Sequence, residues 1–139
     1  MNHRRRKKLA RRLVGAATFG DGVRIRALLR SGADPDGPDA EGTTPLYAAS
    51  VAGAVDAVLT LLAAGASPNA ESSGHGSEGT PLCAAACWGE TDTVRALLAH
   101  GADPGLREDH GTGRSPLEWA RAGPHPETVA VLLAAGARE

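Results

Sequence analysis

The fold is decided by a stretch of sequence that occurs three times along the chain. The copies are TPLYAASVAGAVDAVLTLLAAGA at residues 44–66, TPLCAAACWGETDTVRALLAHGA at residues 80–102 and SPLEWARAGPHPETVAVLLAAGA at residues 115–137. A fourth, degenerate copy precedes them, between Leu13 and Asp34. The glycines that close the four copies are 33, 36 and 35 residues apart. A period in this range indicates an array of stacked repeats, each of which is one supersecondary unit.

Each copy predicts a pair of helices. Thr44 is a residue type that caps a helix through its hydroxyl, and Pro45 suits the first helical turn. Gly53 is a natural stop for this helix. A second helix follows, with an apolar stripe at helical spacing formed by Val58, Leu61 and Leu62. Since no unit can bury its stripe alone, we expect an all-α solenoid of about four helix-turn-helix units, with short extended turns between them.

The units differ in length at two connections. The extra residues lie in Ser72–Gly79 and Arg107–Arg114, and both segments have the composition of loops. Stacked repeats tolerate insertions that are confined to one connection per unit. We therefore divide the chain into units at approximately 13–36, 37–69, 70–105 and 106–139, preceded at residues 1–12 by a basic arm or the start of a capping helix.

The repeats resemble those of the ankyrin repeat family over about residues 9–137. They share its Thr-Pro-Leu-x-x-Ala motif, the glycine after the first helix, the Val-x-x-Leu-Leu stripe and the closing Gly-Ala, which Asp-Pro or Ser-Pro follows in most copies. The family usually has histidine after Thr-Pro-Leu, where the ring ties neighbouring turns together by hydrogen bonds. Tyr47, Cys83 and Glu118 occupy that position here. We predict that the tie is absent or replaced, that Tyr47 packs in place of the histidine, and that Trp119 belongs to the core of the last unit.

The resemblance implies a non-enzymatic protein-protein interaction module, such as an adaptor, a scaffold or an inhibitor. Ankyrin arrays bind a partner protein in a concave groove, which is lined by the loop tips and by the exposed face of the first helix of each unit. Carried over to this chain, the groove residues are Phe19, Ala40, Glu41, Thr43, Val51, Ala52, His75, Glu78, Cys87, Trp88, His110 and Arg114. Phe19 and Trp88 fall at equivalent positions, and tryptophan is enriched among residues that dominate binding energy. The alternative for Trp88 is that it packs under the loop Ser72–Gly79.

A basic segment precedes the repeats. Residues 1–12 carry seven bases and no acid, whereas the remaining 127 residues carry eight bases and sixteen acids. The bases are Arg4, Arg5, Arg6, Lys7, Lys8, Arg11 and Arg12. They form a solvated first helix or a disordered tail, or else an arm that tethers a regulator to nucleic acid or to an anionic membrane. The acidic loops Asp39–Gly42 and Glu71–Glu78 favour a basic or mixed protein partner in the groove.

Composition and motifs argue against other classes. Aromatic residues make up only 3% of the chain, which excludes a large aromatic core. No apolar run approaches the ~18–20 residues of a membrane span. The motifs of common hydrolases, phosphate-binding loops and zinc proteases are absent, so we predict no catalytic residue, no cofactor and no metal.

The two cysteines are expected to be free thiols. Cys83 and Cys87 are four residues apart on one predicted helix, which suits small packed residues better than half of a zinc site completed by His75 or His110. Free thiols favour a reducing compartment. We therefore expect a cytoplasmic protein, or a nuclear one if the source is eukaryotic, and we expect a monomer.

Overall fold

The chain folds into a two-layered array of helical hairpins. The computed structural model describes residues 1–75 and 77–138. Within that part of the chain, an inner row contains α1 (His3–Thr18), α3 (Pro45–Val51), α5 (Pro81–Cys87) and α8 (Pro116–Ala122). An outer row contains α2 (Gly22–Arg30), α4 (Val55–Ala63), α6 (Thr91–Ala99) and α9 (Pro126–Ala134). The connections add the strands β1 (Ser72–Gly74) and β2 (Ser77–Gly79) and the short segment α7 (Glu108–Gly111).

The core lies between the two rows. Each inner helix packs against the outer helix of its own unit, and successive inner helices pack against each other. Each unit supplies at least one large buried side chain from each row. The most deeply buried include Leu13, Leu46, Leu82 and Leu117 from the inner row and Ile25, Leu61, Leu97 and Leu132 from the outer row. Ala49, Ala85 and Ala120 are completely buried, so the inner helices meet through small side chains. The predicted all-α solenoid is confirmed.

Short polar residues begin three of the inner helices as the sequence predicts. The hydroxyls of Thr44, Thr80 and Ser115 each accept a hydrogen bond at 3.2 Å from the backbone N–H three residues later. The residue after each cap is a proline, which lacks the N–H that a first turn leaves unpaired. The caps are therefore a property of each unit and are repeated with it.

The insertion Ser72–Gly79 differs from the loop expected from its composition. It contains an antiparallel strand pair in which Ser72 lies opposite Gly79. The Ser72 hydroxyl lies 3.3 Å from both the backbone N–H of Thr44 and the carbonyl of Gly42, so the strand pair is joined to the preceding connection. These bonds link residues about thirty positions apart in the chain, and composition alone does not reveal such pairings.

The residues at the position of the family histidine make contacts of different kinds. The Cys83 thiol lies 3.6 Å from the Arg114 carbonyl and 3.9 Å from the Leu106 carbonyl, both in the next connection. The Glu118 carboxylate forms an ion pair with Arg107 at 2.6 Å. Tyr47, at the third such position, is half-buried. At Cys83, neighbouring units are therefore still connected, through a thiol instead of an imidazole, whereas the Glu118 ion pair lies within the last unit.

Candidate functional site

The inner helices end in a row of equivalent positions. Phe19, Ala52, Trp88 and Gly123 are the C-cap residues of α1, α3, α5 and α8. Phe19 is 86% exposed and Trp88 is 64% exposed. Because the inner helices stack side by side, the row crosses the array on one face. We call this surface, together with the connecting loops beside it, the inner face.

The exposure of Trp88 rules out the alternative that its side chain packs under the loop Ser72–Gly79. Complete burial of a large apolar side chain contributes about 1.5–3 kcal/mol, and much of this amount is unrealised at each exposed ring in the isolated chain. Gly20 and Gly89 follow the two rings and have φ values of 66° and 68°. The same left-handed turn thus ends both helices, so the repeat itself sets the position of each ring.

The connecting loops place six of the predicted residues at exposed positions. These are Ala40, Glu41, His75, Glu78, His110 and Arg114. They come from three successive connections, so the loops border the inner face along its length. Their side chains are available to a molecule that lies on this face.

Thr43 is an exception, and its prediction as an exposed groove residue is wrong. Its side chain is only 8% exposed. Its backbone N–H donates to the Asp39 carboxylate at 3.0 Å, and its hydroxyl faces Gly74, where an added Cβ would collide with it. Strand β1 of the next connection therefore covers Thr43, a contact that a single repeat does not predict.

The predicted residues at the helix ends differ in exposure. Ala52 is exposed, whereas Val51 and Cys87 are half-buried. The Cys87 carbonyl lies 2.9 Å from Nε2 of His125, which belongs to the next unit. The backbone at the end of α5 is thereby joined to α9, which supports the turn that carries Trp88.

The segment α7 forms an unusual loop tip. Asp109 and His110 both have left-handed backbone conformations, with φ values of 51° and 55°. Such conformations cost roughly 1–2 kcal/mol per residue when the residue is not glycine. The backbone N–H of His110 donates to the Glu71 carboxylate at 2.9 Å, across thirty-nine residues. This bond from the preceding connection helps to hold the tip on which His110 is exposed.

Trp119 is held at the edge of the core by polar contacts that the sequence did not reveal. It is half-buried and packs against the core. Its indole N–H donates to the Glu108 carboxylate at 2.6 Å, and the Arg114 guanidinium lies 4.7 Å above the ring. Burial raises the pKa of Glu108, while the hydrogen bond from Trp119 acts in the opposite direction. Arg114 is exposed but rests on the Trp119 ring, so this predicted groove residue has a defined position.

Charge is distributed unevenly on the inner face. Carboxylates cluster in the three connections, at Asp39, Glu41, Glu71, Glu78, Glu108 and Asp109. The bases of residues 1–12 lie instead on α1, which begins at His3 and runs without a break to Thr18. All seven of these basic residues are exposed. One end of the inner face is therefore basic, and its middle is acidic.

A cleft separates the basic side of α1 from the loop that leads to α3. Its volume is about 480 Å³. It is lined by Arg4, Lys7, Lys8 and Arg11 on one wall and by Pro38, Asp39 and Ala40 on the other. We call this site the α1 cleft.

Comparison with known families agrees with the repeat architecture. Residues 71–138 match a model of ankyrin repeats in three copies, and residues 41–73 match a model of the single ankyrin repeat. The chain belongs to the ankyrin repeat family. No curated protein matches it. Ankyrin repeats are generally protein-protein interaction modules and are typically non-catalytic.

The first ankyrin unit lies outside both matched ranges. Its helices α1 and α2 nevertheless pack against each other and against α3 and α4 in the same way as the later units. The unit departs from the family in sequence, because it lacks the Thr-Pro-Leu start and begins in the basic segment. The part of the chain that is least typical of the ankyrin family is thus the part that carries the α1 cleft.

The two thiols of the third ankyrin unit are free. Burial raises the pKa of Cys83 to about 12, and burial also raises the pKa of Cys87. Both are therefore poor nucleophiles at neutral pH, since the thiolate is the reactive form. The described residues contain no cluster of three or more potential metal ligands. Among the same residues, no helix is both long enough and apolar enough to span a membrane.

Proposed function

We propose that this ankyrin repeat protein is a non-enzymatic adaptor, scaffold or inhibitor that binds a partner protein on its inner face, which acts as a concave groove. The observation that carries the proposal is the pair of exposed aromatic rings, Phe19 and Trp88, at equivalent ends of α1 and α5. Aromatic side chains are enriched at the surfaces through which proteins bind one another, and tryptophan is enriched among the residues that dominate binding energy.

The two rings define the length of the proposed contact. They lie two units apart, and helices pack about 8–10 Å apart, so the rings are separated by roughly 16–20 Å. An extended chain advances about 3.3 Å per residue, and five or six residues therefore span this distance. Ala52 lies between the rings and leaves room for the partner's side chains. The loop tips, including Glu41, Glu78 and His110, supply polar contacts at the border.

The experiment is affinity capture of partner proteins from a lysate of the source cell. We expect Trp88→Ala to weaken capture of a discrete protein about thirtyfold, because truncation of a central aromatic residue costs about 2 kcal/mol or more. Phe19→Ala is expected to weaken capture of the same protein. Val23→Ala is the matched control, because Val23 is 72% exposed but lies on the outer helix α2. A partner whose capture is unchanged in both aromatic variants would refute the proposal.

A second candidate function is favoured by one observation, the exposure of all seven bases on α1. We propose as the alternative that α1 tethers the repeats to nucleic acid or to an anionic membrane. Deletion of residues 1–12 is a poor test, because it removes buried Leu9 and most of α1. Glutamine substitutions at the seven bases avoid this loss. The alternative predicts salt-sensitive binding to duplex DNA or phosphatidylserine vesicles that these substitutions abolish.

We also propose a cytoplasmic location and a monomeric state. A cytoplasmic location agrees with two free thiols in a small protein. The preferred state is a monomer that uses its inner face for a different protein. Analytical ultracentrifugation of the purified chain tests the monomer directly.

A further inference from the structure

The α1 cleft contains an unusual concentration of unpaired positive charge. Four bases line it, against the single carboxylate of Asp39. Among residues 1–75 and 77–138, Arg4, Lys7, Lys8 and Arg11 form no ion pair. Arg95 and Arg107, by contrast, are each paired with carboxylates. The α1 bases therefore have charge that the protein itself does not neutralise.

Asp39 is already engaged within its own loop. One of its carboxylate oxygens accepts hydrogen bonds from the backbone N–H groups of Glu41 at 2.9 Å and Thr43 at 3.0 Å. It holds the loop in place as the second wall of the cleft. The acid that lines the cleft thus serves the loop and leaves the bases opposite it without an ion-pair partner.

The bases lie at positions where they destabilise α1. The N-terminal end of a helix favours acids and disfavours bases, yet the first turn of α1 contains no acid. Arg4 and Arg11 each lie three or four residues from both Lys7 and Lys8, at spacings where like charges repel. Departures from such local rules are expected at functional sites, where a bound molecule can offset the repulsion.

The bases that line the α1 cleft form a stripe along α1, and this stripe continues toward Phe19. Arg11, Gly15 and Phe19 follow one another at four-residue steps on α1, so they lie on the same side of the helix. A Cβ added at Gly15 would meet nothing within 4 Å, so the surface between Arg11 and Phe19 is open. From Arg4 to Phe19 the stripe is about 22 Å long. A segment seated in the α1 cleft can therefore reach Phe19 without leaving the surface.

We infer that the α1 cleft binds an acidic segment of the partner protein, rich in aspartate and glutamate and followed by an apolar residue that reaches Phe19. This inference rests on the proposed protein-binding function and specifies the partner's chemistry at one end of the inner face. The two walls suit a single extended chain. The acidic loops of the following units repel nucleic acid and anionic lipid, which restricts a larger polyanion to α1 alone.

The test uses a short fluorescein-labelled peptide with a run of glutamates beside a pair of leucines. A matched peptide has glutamines in place of the glutamates and keeps the leucines. We expect the acidic peptide to bind at low ionic strength and the glutamine peptide to bind at least about tenfold more weakly, since several ion pairs are lost together. The triple variant Arg4→Gln, Lys7→Gln, Arg11→Gln should bind the acidic peptide more weakly than the wild-type protein does, by about the same factor.

The matched control is Arg24→Gln, Arg26→Gln, Arg30→Gln on α2. It removes the same charge from exposed residues outside the cleft and should change peptide affinity less than about threefold. The backbone amide signals of Asp39 and Ala40 should shift on titration with the acidic peptide. Because the three substituted side chains are exposed, we expect the α1 variant to fold normally. Thermal unfolding monitored by circular dichroism checks this.

Several outcomes would overturn the inference. Equal losses of peptide affinity in the α1 and α2 variants would show that the peptide responds to the overall charge of the protein and not to a site at the cleft. Tighter α1-dependent binding of duplex DNA or phosphatidylserine vesicles than of the acidic peptide would favour the tether. Failure of every probe to bind would remove the cleft as a site. If a partner is still captured through Trp88 in these cases, the proposed function stands and only the inference about the α1 cleft fails.

Discussion

Trp88 and Trp119 are the same residue type, but they make different kinds of contact. Trp88 is mostly exposed at the end of α5. Trp119 is half-buried, donates its indole N–H to Glu108, and lies under the guanidinium of Arg114. The first ring is available to a partner, whereas the second joins a loop to the last unit. At the residue scale, exposure and a polar partner separate a binding role from a structural one.

The Trp119–Glu108 hydrogen bond is expected to stabilise the fold. Trp119→Phe keeps an aromatic ring but leaves the Glu108 carboxylate without this donor. We expect the free energy of unfolding to fall by about 1–2 kcal/mol, because hydrogen bonds to charged groups are stronger than neutral ones. Urea denaturation followed by circular dichroism measures the change. Trp88→Phe is the control and should change stability by less than about 0.5 kcal/mol; equal effects of the two variants would contradict the prediction.

The raised pKa of Glu108 predicts a pH dependence of stability. Burial is the main cause of the shift, and the neighbouring Asp109 and Glu71 add to it. The folded protein therefore binds this proton more tightly than the unfolded chain, so the contribution of Glu108 to stability is lost as pH rises through its folded pKa. We expect Glu108→Gln to stabilise the protein relative to wild type above that pKa, and the advantage to shrink as the pH is lowered through it. Unfolding titrations over this pH range measure the difference, and Glu78→Gln controls for the loss of one negative charge.

At the scale of single elements, the inner helices are short and depend on their ends. The helix α5 contains seven residues, so its cap hydrogen bond is a large part of its local structure. Thr80 is buried, and its hydroxyl accepts the bond from the Cys83 N–H. The cap and the proline after it occur at the same place in three units, which explains why the pattern was readable before the fold was known.

Removal of the α5 cap should therefore be costly. Thr80→Ala leaves the Cys83 N–H without its partner, and we expect the free energy of unfolding to fall by about 1–2 kcal/mol. Thr60→Ala is the matched control, because Thr60 lies within α4, where its hydroxyl bonds back to the Asp56 carbonyl and alanine favours the helix. Chemical denaturation of both variants gives the comparison. If Thr60→Ala lowers the free energy of unfolding as much as Thr80→Ala does, the cap has no special importance and the prediction is wrong.

At the scale of the whole molecule, each unit packs mainly against its direct neighbours. The helix α6 packs against α4 on one side and α9 on the other, whereas α9 packs against α6 and its own partner α8. Stability in such an array is approximately a sum of unit terms and neighbour interfaces. Central units are therefore supported from two sides, and the last unit from one.

This arrangement predicts a gradient of local stability. We expect backbone amides of α9 to exchange with deuterium faster than those of α6, since local opening of α9 breaks fewer interfaces. The two helices each contain nine residues, so they form a matched pair. Hydrogen exchange followed by mass spectrometry measures the difference. Equal protection of α6 and α9 would show that the array unfolds as one unit and would contradict the prediction.

The sequence by itself determined the features that repeat. The 33–36-residue spacing, the Thr-Pro and Ser-Pro starts, the glycine stops and the apolar stripes lie within single units. Short-range chemistry decides them, so the fold class, the caps and the equivalence of Phe19 with Trp88 were all predictable. The sequence also showed that Cys83 stands where the family has histidine, but it did not show which contacts Cys83 makes instead.

Only the tertiary structure decided the features that join one unit to another. Thr43 is covered by Gly74 of the next connection, and the left-handed tip at His110 is bonded to Glu71 of the preceding one. The α1 cleft likewise requires the Pro38–Ala40 loop to lie beside α1. Contacts of this kind link residues about thirty or more positions apart, and their geometry depends on how the units stack. A motif within one unit therefore does not predict them. For this reason the sequence revealed the repeats and the equivalence of Phe19 with Trp88, but it did not reveal the α1 cleft.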